Sequence, residues 1–131
     1  MHQLKQLKPG IIEVIYAGEF TLQDWAEYQE LMLEQLNQSS GKLYILTNFL
    51  QTTRLDKEIL PLVGSAKHLT HPNLGLIVLL GGNAFQNFIL LLTENRAMKE
   101  EKGSRLRIHR DYDRALEMLE YQQTIEAKAG E

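Results

Sequence analysis

One stretch of the sequence decides how this chain folds: residues 74–88, LGLIVLLGGNAFQNF. Its first seven residues form an uninterrupted apolar run rich in branched side chains, which is typical of a strand covered on both faces. The run ends at Gly81-Gly82. Asn83 then offers an N-cap and Gln86 can complete a capping box, so a helix is predicted to follow. A buried strand that leads directly into a helix indicates an α/β sheet.

The composition is that of a single globular domain. The 131 residues are 44% hydrophobic and 24% charged, which excludes a disordered or fibrous chain. The absence of cysteine excludes disulfides, thiolate catalysis and cysteine-ligated zinc. The net charge of -3 argues against a dedicated nucleic-acid binder. No apolar run approaches the ~20 residues that span a bilayer, and residues 1–8 lack the apolar core of a signal peptide. We expect one domain over residues 1–131, ordered from about 3 to 125, in the cytoplasm.

A hairpin and a helix are predicted to open the chain. Residues 3–7 and 11–16 flank Lys8-Pro9-Gly10, which predicts two antiparallel strands, the first of them at a sheet edge because of its lysines. Thr21 is a suitable helix cap, and apolar residues then recur at helical spacing to about Asn37.

Strands and helices alternate from there on. A strand is predicted at residues 43–46, and the polar residues 47–53 favour a loop at its carboxyl end. A helix is expected from Asp56 or a few residues later, since Pro61 is tolerated only in a first turn. It is expected to end before Pro72.

The predicted pattern continues to the last helix. After the central strand we expect a buried helix through residues 85–92, which fades into the charged run 96–102. Residues 104–109 alternate as in a strand with one buried face, and Asp111 caps a last helix to about Ile125. The predicted order is β-β-α-β-α-β-α-β-α, an α/β fold with a single mixed sheet whose later strands are parallel.

Three stretches carry a resemblance to a known family. They are residues 16–21, YAGEFT; the strand at 43–46 with its polar exit; and residues 105–119, RLRIHRDYDRALEML. In these the chain resembles the STAS superfamily, the fold of bacterial anti-sigma-factor antagonists, and in particular its SpoIIAA-like branch. The resemblance covers about residues 3–121. It implies a regulatory or adaptor module that acts by protein contact and is not an enzyme.

Partner-switching members of that family carry a phosphorylatable Ser in the turn that opens the helix after the second long strand. Here the corresponding turn is Leu55-Asp56-Lys57-Glu58, which has carboxylates and no hydroxyl, so phosphorylation is not expected there. Thr52 and Thr53 lie nearby and are the alternative acceptors, although exposed loop threonines are usually only turn residues.

The expected contact surface combines this turn and the polar exit loop with the first helix. Residues 21–40 contain four acids and no Lys or Arg, so the outer face of that helix is expected to be negative. The residues assigned to the surface are Thr47, Asn48, Thr52, Thr53, Asp56, Glu58, Glu27 and Glu30. The expected partner is another protein or a second copy of the chain in a homodimer.

Two other functional classes compete with this interpretation. One is a small-molecule or lipid carrier with an apolar pocket under the first and third helices. The other is an enzyme, which ranks third because no set of nucleophile, base and orienting group can be assembled. Ser65, for example, does not lie in a G-x-S-x-G elbow.

Local motifs for ligands are weak, and no cofactor or metal is expected. His68 and His71 are spaced as two metal ligands on one helix face, but have no third ligand close in sequence. Gly81-Gly82-Asn83 at a helix start could bind an anion, yet no phosphate-binding motif surrounds it. A basic cluster has no interleaved aromatic residue and fits a solvated surface or a protein contact better than nucleic acid. Its members are Arg96, Lys99, Lys102, Arg105, Arg107 and Arg110.

Overall fold

Five strands form one mixed sheet in the computed structural model, which describes residues 2–82 and 105–129, the side chains of 60, 64 and 65 excepted. The strands are β1 (His2–Lys8), β2 (Ile11–Phe20), β3 (Leu43–Leu55), β4 (Leu74–Gly81) and β5 (Leu106–His109). Their order across the sheet is their order in the chain. β1 pairs antiparallel with β2, and all other neighbours are parallel. The predicted mixed α/β sheet is confirmed.

Among the described residues, two α-helices and two 3-10 helices accompany the strands. They are α1 (Leu22–Gln38) and α2 (Tyr112–Ala129), with 3-10 helices at Lys57–Ser65 and Lys67–Thr70. The segment between β3 and β4 is therefore helical as predicted, but in 3-10 turns. Pro61 lies inside the first of them, where it cannot donate the backbone hydrogen bond of an α-helix. The helix predicted through residues 85–92 lies outside the described residues.

α1 begins at the predicted cap. Thr21 Oγ1 accepts a hydrogen bond from the Asp24 backbone N–H (3.2 Å), and the Asp24 carboxylate accepts one from the Thr21 N–H (2.8 Å). This reciprocal capping box satisfies backbone donors that a helix start leaves free. At the other end, the Asn73 side-chain amide donates to the Leu36 carbonyl (3.0 Å), which ties α1 to the turn before β4.

The β1–β2 hairpin turns at Gly10. Its φ of +80° lies in the left-handed region that glycine adopts without strain. β1 occupies the edge position predicted from its lysines. Both lysines reach carboxylates, since Lys5 Nζ lies 3.5 Å from Glu13 and Lys8 Nζ lies 2.7 Å from Glu120.

β3 differs most from its prediction. The sequence pattern predicts a strand that ends at Leu46 and a loop over residues 47–53, whereas the strand continues to Leu55. β2 pairs with β3 as far as Leu55, and β4 pairs with it as far as Phe49. The loop prediction is wrong because these polar residues bond their backbone within the sheet, and threonine is a good strand former.

Alternate side chains divide the core between two faces of the sheet. The first, which we call the α1 face, packs against α1 and the 3-10 helices and includes the rings of Tyr16, Phe20, Trp25, Tyr28 and Phe49. The second, the α2 face, has a cluster of Ile11, Tyr44, Leu46, Leu76, Val78, Leu80, Ala115 and Leu119. All eight residues of β4 are buried, which confirms the strand predicted to be covered on both faces.

Candidate functional site

Three of the eight predicted contact residues are buried in the sheet. Thr47, Asn48 and Thr52 are 0%, 5% and 7% exposed. Thr47 Oγ1 hydrogen-bonds with the Tyr28 hydroxyl of α1 (2.8 Å), and Thr52 Oγ1 donates to the Tyr16 carbonyl of β2 (2.9 Å). A buried side chain is not available to a partner, so these three residues leave the predicted surface. Their assignment depended on a loop that the structure does not contain.

Asn48 belongs to a buried polar cluster that the sequence motifs do not predict. Glu13, 1% exposed, accepts hydrogen bonds from Asn48 Nδ2 (3.0 Å) and from the Tyr112 hydroxyl (3.0 Å), and also pairs with Lys5. Burial raises the pKa of Tyr112 to about 12, and the hydrogen bond to Glu13 and its charge add to the shift. The only local signal is a single acid within the apolar run 11–16. This cluster joins β1, β2, β3 and α2.

The other five predicted residues lie at the surface: Glu27, Glu30, Thr53, Asp56 and Glu58, with Asp56 half-buried. Asp56 Oδ1 accepts the Glu58 backbone N–H (3.2 Å) and so caps the first 3-10 helix. The Asp56 backbone N–H donates to the Phe20 carbonyl at the end of β2 (3.0 Å). Because α1 starts two residues after Phe20, this bond brings the acidic turn beside the start of α1.

An apolar groove lies between α1 and the first 3-10 helix. Its walls include Leu22 and Leu62, which are 39% and 40% exposed. Trp25, Ala26 and Gln29 complete the lining. We call this feature the α1 groove. Large apolar side chains exposed on both walls of one groove are typical of a surface that binds another molecule.

The acids on the outer side of α1 have no ion-pair partner in the part of the chain that the structure describes. The ion pairs there are Lys5–Glu13, Lys8–Glu120 and Lys42–Glu126. α1 itself contains no Lys or Arg. The exposed surface of α1 thus carries both an apolar groove and acids without an ion-pair partner among the described residues. This combination suits a partner that offers apolar side chains together with basic ones.

The two histidines whose spacing would suit a metal site have separate structural roles. His68 is buried against the rings of Trp25 and Tyr28, and burial lowers its pKa to about 4. The His71 ring instead hydrogen-bonds with Asn37 Oδ1 (2.8 Å), and its Nδ1 accepts the Asn73 backbone N–H (3.0 Å). Within residues 2–82 and 105–129, no group of three or more His, Asp or Glu could hold a metal ion.

A small apolar cavity lies on the α1 face of the sheet. Phe20, Trp25, Tyr28, Phe49 and His68 contribute rings to its wall, and its volume is about 20 Å³. That is roughly the room of one water molecule, whereas small-molecule sites usually measure on the order of 300 Å³ or more. The cavity therefore does not favour the carrier interpretation.

The anion site and the basic cluster considered from the sequence gain no support from the described residues. Gly81 ends β4, but Asn83 and the basic run 96–102 lie outside the described ranges. Arg105 does not belong to a free basic patch, since its Nη1 donates to the His71 carbonyl (2.9 Å). No helix in the described ranges has the length and apolarity needed to cross a membrane.

The solved structures that share this fold include two of SpoIIAA. One is the structure of the anti-sigma factor antagonist SpoIIAA in its unphosphorylated form, with a TM-score of 0.59 and 14% identity over 100% of both chains. The other is that of the Bacillus cell fate determinant SpoIIAA in the phosphorylated form, with a TM-score of 0.56 and 12% identity over 90% of this chain and 98% of that one. The sequence matches no protein-family model and no curated protein. The likeness shows the fold and confirms the expected SpoIIAA-like architecture.

Proposed function

We propose that this chain is a non-enzymatic regulatory or adaptor module that binds another protein through the α1 groove and its acidic rim. The proposal depends on one observation, the exposure of Leu22 and Leu62 in a groove against a helix whose acids have no ion-pair partner among the described residues. Protein contacts commonly combine an apolar centre with a polar rim. We assign to the acidic rim the surface acids of α1 and of the turn after β3, which are Glu27, Glu30, Asp56 and Glu58.

The likeness to SpoIIAA supports a regulatory role, because SpoIIAA is an anti-sigma factor antagonist that has phosphorylated and unphosphorylated forms. In this chain the turn at residues 55–58 has no hydroxyl, so the proposed module carries permanent negative charge there. The Thr52 hydroxyl is bonded inside the sheet, which leaves Thr53 as the alternative acceptor of a phosphate. Phosphate found at neither threonine by mass spectrometry of protein from growing cells would exclude that alternative.

Charge reversal on α1 tests the proposal directly. Glu27 and Glu30 are exposed, so the double variant E27K/E30K is expected to fold normally. Like charges facing a partner's basic rim should reduce its capture by about tenfold or more. The measurement is affinity purification of tagged wild-type and variant protein from the native host, with quantitative mass spectrometry of the proteins retained.

A matched control separates this surface from a general effect of charge. Glu117 is exposed on α2, on the other side of the sheet, so E117K makes the same single charge reversal as E30K but away from the α1 groove. The same proteins should be retained by E117K and by wild type, captured less by E30K and lost from E27K/E30K. Equal capture by all four proteins would remove the α1 groove from the proposal.

The proposal also covers where the module acts, whether it self-associates and whether it is a catalyst. The module is proposed to act in the cytoplasm, and a homodimer is one form of its protein contact. We propose no catalytic role, since the described residues do not bring together a nucleophile, a base and an orienting group.

A further inference from the structure

α2 buries little apolar surface of its own. Of its 18 residues only Ala115 and Leu119 are fully buried. α1, with 17 residues, buries four larger side chains, Trp25, Tyr28, Met32 and Leu36. Because apolar burial is a main force that holds a helix to a sheet, α2 depends less than α1 on fully buried apolar side chains.

The sheet beneath α2 is nevertheless strongly apolar. Ile11, Leu46, Val78 and Leu80 of the α2 face are all 0% exposed. In the described part of the chain, α2 is the helix that packs on this cluster. Besides the buried Ala115 and Leu119, α2 places three partly buried side chains on this face, Tyr112, Leu116 and Met118. A fully buried sheet face is therefore covered by a helix whose apolar contacts are mostly only partly buried.

Polar contacts also hold α2 to the rest of the fold. They run along the whole helix and involve three carboxylates, Glu13, Glu120 and Glu126. The contacts are Tyr112 with Glu13 (3.0 Å), Lys8 with Glu120 (2.7 Å), Tyr44 with Glu126 (2.9 Å), Lys42 with Glu126 (3.7 Å) and the Gln123 amide with the Pro9 carbonyl (2.9 Å). The Glu120 and Glu126 side chains are 37% and 25% exposed, so water can replace their partners at small cost.

We propose that α2 is a detachable cover, which opens from the sheet as a unit while β1–β5 and α1 stay folded. The hinge is the segment of Arg110 and Asp111, which lies between β5 and α2 and belongs to neither element. Elements with few buried apolar contacts are the ones that open below the free energy of global unfolding. Opening exposes the apolar α2 face of the sheet, on the side opposite the α1 groove.

Thiol labelling can detect this opening, because the chain has no cysteine and a single introduced one is a clean reporter. Leu46 and Ile45 are neighbours in β3 and are both 0% exposed, but Leu46 lies on the α2 face and Ile45 on the α1 face. In native buffer, L46C should react with a chromogenic disulfide reagent about tenfold faster than I45C, or more. Equal rates, each set by global unfolding, would overturn the proposal.

A second variant tests what holds the cover closed. E126Q weakens the contacts of Glu126 with Tyr44 and Lys42, so labelling of L46C should rise by about fivefold while that of I45C stays the same. E34Q on α1 is the matched control and should change neither rate. No change in L46C labelling on E126Q would show that the polar contacts do not hold α2.

The comparison does not depend on one core position. If L46C does not fold, V78C and I77C repeat the test on β4, since Val78 lies on the α2 face and Ile77 on the α1 face. The same ratio of rates is expected there, and equal rates would again contradict the opening.

Discussion

Burial changes how His68 titrates. The residue is 2% exposed, its Nδ1 has no hydrogen-bond partner among the described residues, and burial lowers its pKa from 6.5 to about 4. Above pH 6.5 it is neutral in both the folded and the unfolded chain. Between pH 6.5 and about 4 only the unfolded chain takes up the proton, so acid favours unfolding.

Because of His68, the free energy of unfolding should therefore decrease as the pH is lowered. The expected slope is about 1.4 kcal/mol per pH unit below pH 6.5, which is roughly 2 kcal/mol between pH 6.5 and 5. H68F keeps an aromatic ring against Trp25 and Tyr28 but cannot titrate. Between pH 6.5 and 5 its free energy of unfolding should therefore decrease by about 2 kcal/mol less than that of wild type. Urea unfolding at several pH values measures both slopes, and parallel curves would refute the assignment.

Position 75 requires glycine because the Tyr44 ring lies close to its backbone. The register between β3 and β4 shifts there, and a Cβ at Gly75 would overlap the ring of Tyr44. G75A should lower the free energy of unfolding by about 2 kcal/mol through overpacking. Gly41 is the control, because a Cβ there meets nothing within 4 Å and G41A should be nearly neutral. Chemical denaturation of both variants measures the difference, and equal stabilities would show that the Tyr44 ring moves aside freely.

At the scale of elements, α1 depends on its first turn. Thr21 and Asp24 form the reciprocal capping box, so T21A should cost about 1 kcal/mol in the free energy of unfolding. Thr124 lies within α2, where its hydroxyl donates to the Glu120 carbonyl, and T124A leaves no helix end uncapped. Denaturant titrations should separate the two variants by that amount. A loss of stability in T124A as large as that in T21A would argue against the cap.

The second half of β3 shows why some strands cannot be predicted from local sequence. The apolar residues 43–46 indicate a strand by their own pattern, but the extension to Leu55 depends on partners far away in the sequence. Thr47 is satisfied by Tyr28 and Asn48 by Glu13. Local polarity predicted a loop because it contains no information about these distant hydrogen bonds.

For the whole molecule, the features that could be predicted are those encoded in local patterns. Apolar runs, the Pro-Gly turn and the Thr21 cap predict the strands, the hairpin and α1, and the helical connections predict parallel pairing. The acidic side of α1 was visible in the same way. The α1 groove was not, because Leu62 meets Leu22 only after the chain has folded.

No small ligand is expected in the cavity on the α1 face. The cavity on the α1 face measures about 20 Å³, which is too small for a lipid or a cofactor. Native mass spectrometry of the protein isolated from its host should give the mass of the polypeptide, alone or with a protein partner. A retained mass of a few hundred daltons, lost on denaturation, would instead favour the carrier.

The buried Glu13 carboxylate has a consequence for how the strands find one another. Lys5 is directly opposite Glu13 in the β1–β2 register, and Asn48 and Tyr112 approach the same carboxylate from β3 and α2. A slip of one residue in β1 would carry Lys5 to the other face of the sheet. Such a slip would take the only cation among its described partners away from this buried carboxylate, so misaligned pairings are penalised during folding. Glu13 therefore selects the correct alignment, a task that the interchangeable apolar side chains around it perform less strictly.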